Sequence, residues 1–173
     1  LVHPHIGIIT AVGPQHLESF GSIENVCRTK FELADSLPAD GLAVVNNDFE
    51  AAKARPVSNV ACERYGIKNT AGARFTAVDI EYDSYGSGFT VRDLEGKLPD
   101  LQLHTRLLGE CNISNLLAAV AVARHLAVPD DKIAYAVEQI EQVEHRLSIK
   151  RTPGGVTILD DAFNSNPVGS TMA

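Results

Sequence analysis

A histidine, a glutamate and a lysine stand near the start of the chain, where an apolar run gives way to a loop and then a helix. The loop reads Gly13-Pro14-Gln15-His16-Leu17-Glu18, and Lys30 follows His16 by fourteen residues. In open α/β sheets, ligands bind beyond the carboxyl ends of the strands. His16 there reads as a metal ligand, a base or an ordinary surface residue. Glu18 reads as a carboxylate that orients such a histidine, or as a solvated acid. Lys30 taken alone reads as a solvated helix charge.

Three further groups have side chains suited to a ligand. Asn112 and Asn115 lie three apart after Gly109, at the start of an Ala- and Leu-rich block. Their amides can cap that helix, which is the default, or read a nucleobase. Arg146 follows His145 just before a short strand; a guanidinium at a site edge suits phosphate, and a surface ion pair is the plainer alternative. Asp160 and Asp161 end another apolar strand, where carboxylates hold a ribose hydroxyl or a metal, or bond to turn amides.

The elements that must carry these residues follow from the apolar pattern. Residues 6–12 (I-G-I-I-T-A-V) read as a strand buried on both faces. Ser22 caps a predicted helix from Ile23 to about Ser36, and Leu42 to Asn46 is a second buried strand. Strand, helix and strand make a right-handed βαβ unit, hence an α/β fold with a mostly parallel sheet. A short helix at Glu50 to Ala54 and a third strand at Val57 to Ala61 continue it. Phe75 to Tyr82, Gly88 to Asp93 and Leu98 to Leu107, broken by turn residues, predict antiparallel hairpins. Helices are expected over Ile113 to Leu126 and from Pro129 to about Ile140, then a hairpin from Ser148 to Leu159 around Thr152-Pro153-Gly154-Gly155.

Composition narrows the function. The chain has 173 residues, 45% hydrophobic and 21% charged, ordinary for one soluble domain. A net charge of −7 opposes non-specific nucleic-acid binding, which needs a basic face. The three cysteines are odd in number and show no zinc spacing, so free thiols in a reducing compartment are expected. No apolar run reaches the ~18–20 residues of a membrane span. A cytoplasmic protein is expected, with neither nucleic acid nor membrane as partner. The sequence contains no G-x-x-x-x-G-K-[ST] loop to cradle a triphosphate. Its ends fall abruptly against predicted elements, and a piece of a longer chain is expected.

Three separated segments resemble the central, ATP-binding domain of the Mur ligase family. The first runs from Gly13 through His16, Glu18, Gly21 and Ser22 to Thr29-Lys30, then Leu37 to Gly41 and Asn46. The second is Gly109-Glu-Cys-Asn112-Ile-Ser-Asn115-Leu-Leu-Ala-Ala119. The third is His145-Arg146-Leu147 with Asp160-Asp161-Ala-Phe163-Asn164-Ser-Asn166-Pro167. The third segment is similar to that of the members joining D-alanyl-D-alanine to UDP-N-acetylmuramoyl-tripeptide. Folylpolyglutamate synthases, which share the fold, usually carry a His-Asn-Pro type motif there. Phe163 stands where tyrosine is common, and Cys111 where histidine often precedes the asparagine.

The resemblance implies a partial P-loop-type sheet flanked by helices, with residues 1–161 as a truncated central domain and 162–173 as the hinge into a C-terminal domain. It implies ATP and Mg²⁺ as cofactors, with His16 a metal ligand and Lys30 carbamylated, which turns a cation into the oxygen ligand that hard Mg²⁺ prefers. Both would act in catalysis. Asn112 and Asn115 would contact adenine or phosphate, Arg146 the ATP phosphates and Asp161 the ribose. The implied reaction forms an amide through an acyl phosphate in peptidoglycan precursor synthesis, and so serves cell-wall growth, shape and division. Without the P-loop and the other domains, the piece alone is expected to be inert. The alternatives are another amide ligase of this fold, folylpolyglutamate synthases included, and a non-catalytic domain that shed its P-loop.

Overall fold

All five residues of Leu42–Asn46 are buried, so this strand is covered on both faces. The computed structural model, which describes residues 2–14 and 17–163, places it second in a six-stranded sheet. The strands are β1 (Ile6–Ile9), β2 (Leu42–Asn46), β3 (Ala61–Tyr65), β4 (Phe75–Tyr82), β5 (Ser87–Asp93) and β6 (Leu101–Thr105), arranged across the sheet in that order. β1 to β4 pair in parallel, and β4 to β6 are antiparallel. This is the mostly parallel sheet with an antiparallel hairpin portion that the sequence implies.

Side chains alternate across β2 as strand geometry requires. Leu42 and Val44 face one core with Phe75, Val91, Ile113 and Leu117. Ala43 and Val45 face the other, with Ile9, Val26, Phe31 and Ala34. The helices over the first face are α4 (Glu110–His125) and α5 (Asp130–Gln139). Over the second lie α2 (Ile23–Asp35) and α3 (Glu50–Ala54), with the single turn α1 (Leu17–Phe20) ahead of α2. Ser22 caps α2 as expected: its backbone is extended and its Oγ accepts from the Asn25 N–H at 3.2 Å. β7 (Ser148–Arg151) and β8 (Thr157–Asp160) form a separate antiparallel hairpin.

Four boundaries differ from the sequence reading. β1 ends at Ile9, not Val12, because the carbonyls of Thr10 and Ala11 turn to side chains of other elements. The third strand lies at Ala61–Tyr65, not 57–61. Its charged residues hid it: Glu63 pairs with Arg74, and the Arg64 guanidinium donates to Asn47 Oδ1 and to the carbonyls of Ala52, Lys53 and Arg55. α4 starts at Glu110, three residues early, behind Gly109 at φ +86°. β6 is confined to Leu101–Thr105. Turn α1 was not foreseen.

Candidate functional site

The parallel strands end at Ile9, Asn46 and Tyr65, and the polar residues collect there. Lys30 projects from α2 back to the loop after β1, where its Nζ donates to the Ala11 carbonyl at 2.8 Å. Its side chain is half-buried, so this is not the fully solvated lysine of the plainer reading. His16 lies outside the described residues. Glu18 sits in the first turn of α1 and is exposed.

The next carbonyl back, that of Thr10, accepts from Asn46 Nδ2 at 2.9 Å. The same amide donates to Ser114 Oγ on α4 at 3.0 Å, and Asn46 Oδ1 accepts from the Asp48 N–H at 2.9 Å. Asp48 in turn accepts from the N–H groups of Ile67, Lys68 and Asn69, fixing the loop after β3. Tyr65 is wholly buried beside Ser114 and Asn46, and its hydroxyl has no partner of normal geometry; burial drives its ionisation far upward. Lys68 reaches Glu110 in the first turn of α4 at 2.7 Å, and that carboxylate raises the lysine pKa.

Asn112 and Asn115 divide. Asn112 Nδ2 donates to the Leu108 carbonyl at 2.8 Å, a bond local to the helix start, while Asn115 is exposed one turn on. The third segment lies around the separate β7–β8 hairpin. Asp161 Oδ1 accepts from the Leu147 N–H at 3.1 Å, and its charge, after burial, helps push the Cys111 thiol up. Arg146 is exposed and lies over the Phe163 ring, 4.6 Å from its centre. Asp160 faces away into an ion cluster, with Lys150 Nζ at 2.7 Å and His145 Nδ1 at 2.8 Å. The Lys150 hydrogen bond is the main reason its carboxyl falls to about 2.

The structure therefore links Lys30 to α4 through Asn46, while Asp161 is bonded to the Leu147 amide. Asn46 and Ser114 fall in the segments that carry the family resemblance but take no role from it, and the sequence does not single out Tyr65. The available signal was a polar residue ending a wholly apolar strand. Among the described residues no group of three or more His, Cys, Asp or Glu side chains stands together to hold a metal. No helix among them is long and apolar enough to cross a membrane.

A parallel sheet finished by antiparallel strands, with polar groups at the parallel strand ends, defines an open-sheet α/β domain whose candidate ligand site lies at those ends. Comparison with known proteins makes this specific. The Mur ligase middle domain matches residues 1–123, and the chain belongs to the Mur ligase family. It is 30% identical over 168 residues to the UDP-N-acetylmuramoyl-tripeptide–D-alanyl-D-alanine ligase of Haemophilus influenzae, covering 96% of this chain and 35% of that one. It is 32% identical over 169 residues to the UDP-N-acetylmuramate–L-alanine ligase of a Jannaschia species, covering 94% and 34%. Among solved structures, MurF from Acinetobacter baumannii superposes with a TM-score of 0.81 at 26% identity, over 98% of this chain and 36% of that one. MurF ligase from Thermotoga maritima in complex with ADP gives 0.83 at 20% identity, over 98% and 38%. The chain spans about a third of the length of the curated relatives it matches.

Proposed function

We propose that the chain is the central portion of an ATP-dependent amide ligase of peptidoglycan precursor synthesis, acting in the cytoplasm. Its substrates are UDP-N-acetylmuramoyl-tripeptide and D-alanyl-D-alanine. The observation that carries this reading is the similarity to the Haemophilus influenzae ligase along almost the whole chain. The run Asp160-Asp161-Ala-Phe163-Asn164-Ser-Asn166-Pro167 supports the same member, although its second half lies outside the described residues. The ADP complex of the Thermotoga maritima relative is in keeping with an adenine nucleotide.

In this reading a substrate carboxylate attacks the γ-phosphorus of ATP, the bond to the β-phosphate breaks, ADP leaves, and the carboxylate becomes an acyl phosphate. The incoming amine attacks that carbonyl, and phosphate leaves. The chain's part is to hold and orient the anions between which charge builds up. Arg146 supplies a cationic group for the phosphates, Lys30 as its carbamate would supply oxygen ligands for Mg²⁺, Asn115 an amide for the base, and Asp161 an acceptor for the ribose. Asn112, already bonded to Leu108, offers chiefly its Oδ1.

Mg²⁺ fits this set only in part. As an ammonium, Lys30 donates to Ala11 and cannot ligate; as a carbamate it would offer oxygens, and His16 would be its neighbour in the metal shell. Among the described residues no three or more His, Cys, Asp or Glu side chains stand together to complete a shell for the ion. When bound, it would offset negative charge on the phosphates.

A second reading, addition of L-alanine to UDP-N-acetylmuramate, is favoured by the Jannaschia relative, which is slightly more identical. Phosphate release by the full-length protein separates the two. The expected result is release that depends on D-alanyl-D-alanine and the tripeptide nucleotide, falling about 10²-fold or more in Lys30→Ala. Dependence on L-alanine would select the second reading. Dependence on neither would sink both.

A further inference from the structure

We infer that Asn46 is a positioning residue: from β2 it locks the loop that Lys30 grips to the helix bearing Asn112 and Asn115. The inference rests on the ligase reading for its catalytic meaning, and on geometry alone for the tether.

Two adjacent carbonyls of one short loop are held from two directions. Thr10 O accepts from Asn46 Nδ2 at 2.9 Å, and Ala11 O accepts from Lys30 Nζ at 2.8 Å. The second hydrogen of the Asn46 amide goes to Ser114 Oγ at 3.0 Å, and its oxygen is taken by the Asp48 N–H. Asn46 is 1% exposed and Ser114 4% exposed, so the bond between them is shielded from water, while the Thr10 and Asp48 ends lie nearer solvent. A buried amide with both hydrogens and its oxygen engaged has one orientation. That orientation fixes the distance between the β1 loop and α4. Ser114 lies between Asn112 and Asn115 in sequence, so the bond acts on the turn that carries both. A catalytic arrangement displaced by about 1 Å loses about 10²-fold in rate. The tether is placed where it prevents such a displacement.

Two measurements test this, with Val44→Ala as the control for lost packing on the same strand. The first is the rate at which a small amine-selective reagent labels Lys30 in metal-free buffer, read by mass spectrometry of the full-length protein. In Asn46→Ala the rate at Lys30 is expected to rise about threefold or more, with Lys53, Lys68 and Lys150 unchanged. The second is steady-state kinetics of the full-length enzyme. In Asn46→Ala, and to a lesser degree Ser114→Ala, kcat is expected to fall about 10- to 100-fold, with KM for ATP held within about threefold. Labelling or kcat no different from Val44→Ala overturns the inference. If Asn46→Ala does not fold, Ser114→Ala decides it: an unchanged kcat overturns the link to α4, and a reduced kcat at constant KM supports it. If the wild-type protein has no ligase activity, the functional reading fails while the labelling experiment still decides the tether.

Discussion

At the scale of single residues, the thiols and one buried arginine give sharp expectations. Burial pushes the thiols of Cys27, Cys62 and Cys111 upward, against the nearby charges of Arg55 at the first and Arg64 at the second. A raised pKa leaves less thiolate at a given pH, and thiolate is the nucleophile. Alkylation at neutral pH should therefore be at least ~10-fold slower in the folded protein than in urea, peptide by peptide. The same shifts make stability pH-dependent. The folded state holds these protons more tightly, so their contribution is complete below the unfolded thiol pKa of about 8.5 and is lost as pH rises through the folded values. Urea midpoints should fall above that pH; a midpoint that rose would contradict the shifts. Arg124 has only 3% of its side chain exposed and donates twice to Asp130, at 3.1 and 2.8 Å, and once to the Pro99 carbonyl. Arg124→Met should cost about 2 kcal/mol, less than a fully buried pair because Asp130 stays partly in water. Thermal unfolding measures it.

At the scale of elements, the start of α4 depends on Gly109, whose φ of +86° and ψ of 148° suit glycine alone. Gly109→Ala should cost about 1–3 kcal/mol and shift the first turn, which carries Asn112. Ser22→Ala should cost about 1 kcal/mol through the lost cap of α2. Gly86 is a tighter case still, since a Cβ there would overlap the Thr105 carbonyl oxygen. How much of this was legible beforehand differs by element. β2, α2 and the antiparallel strands announced themselves, because apolar spacing records burial directly. β3 did not, since its Glu63 and Arg64 are satisfied sideways by Arg74 and by the carbonyls closing α3. At the site, residue types offered Asn112, Asp160 and Asp161 as candidates, and only the family resemblance raised Lys30 above a solvated charge. The Asn46, Ser114 and Tyr65 cluster stayed hidden, because its members come from three elements brought together only by the sheet. Asp160 and Asp161 looked equivalent, yet one joins an ion cluster and the other the Leu147 amide.

At the scale of the whole molecule, one sheet divides two cores. Ile9 belongs to the face under α2, and Ile113 to the face under α4. Ile9→Val and Ile113→Val should each cost about 1 kcal/mol. With a strand layer between them, the double variant should lose their sum within about 0.5 kcal/mol in urea titrations. A larger coupling would mean that the two faces are not separate. The order of the strands has a different consequence. β1 to β6 lie side by side in the order in which the chain runs. No strand must wait for a later one to be slotted between its neighbours. A ribosome delivering this chain sets each strand against the one just made, and α4, which packs on β2 to β5, emerges after all of them. All six of these strands are thus made before Ser114 is, and the bond from Asn46 to α4 can form only after them.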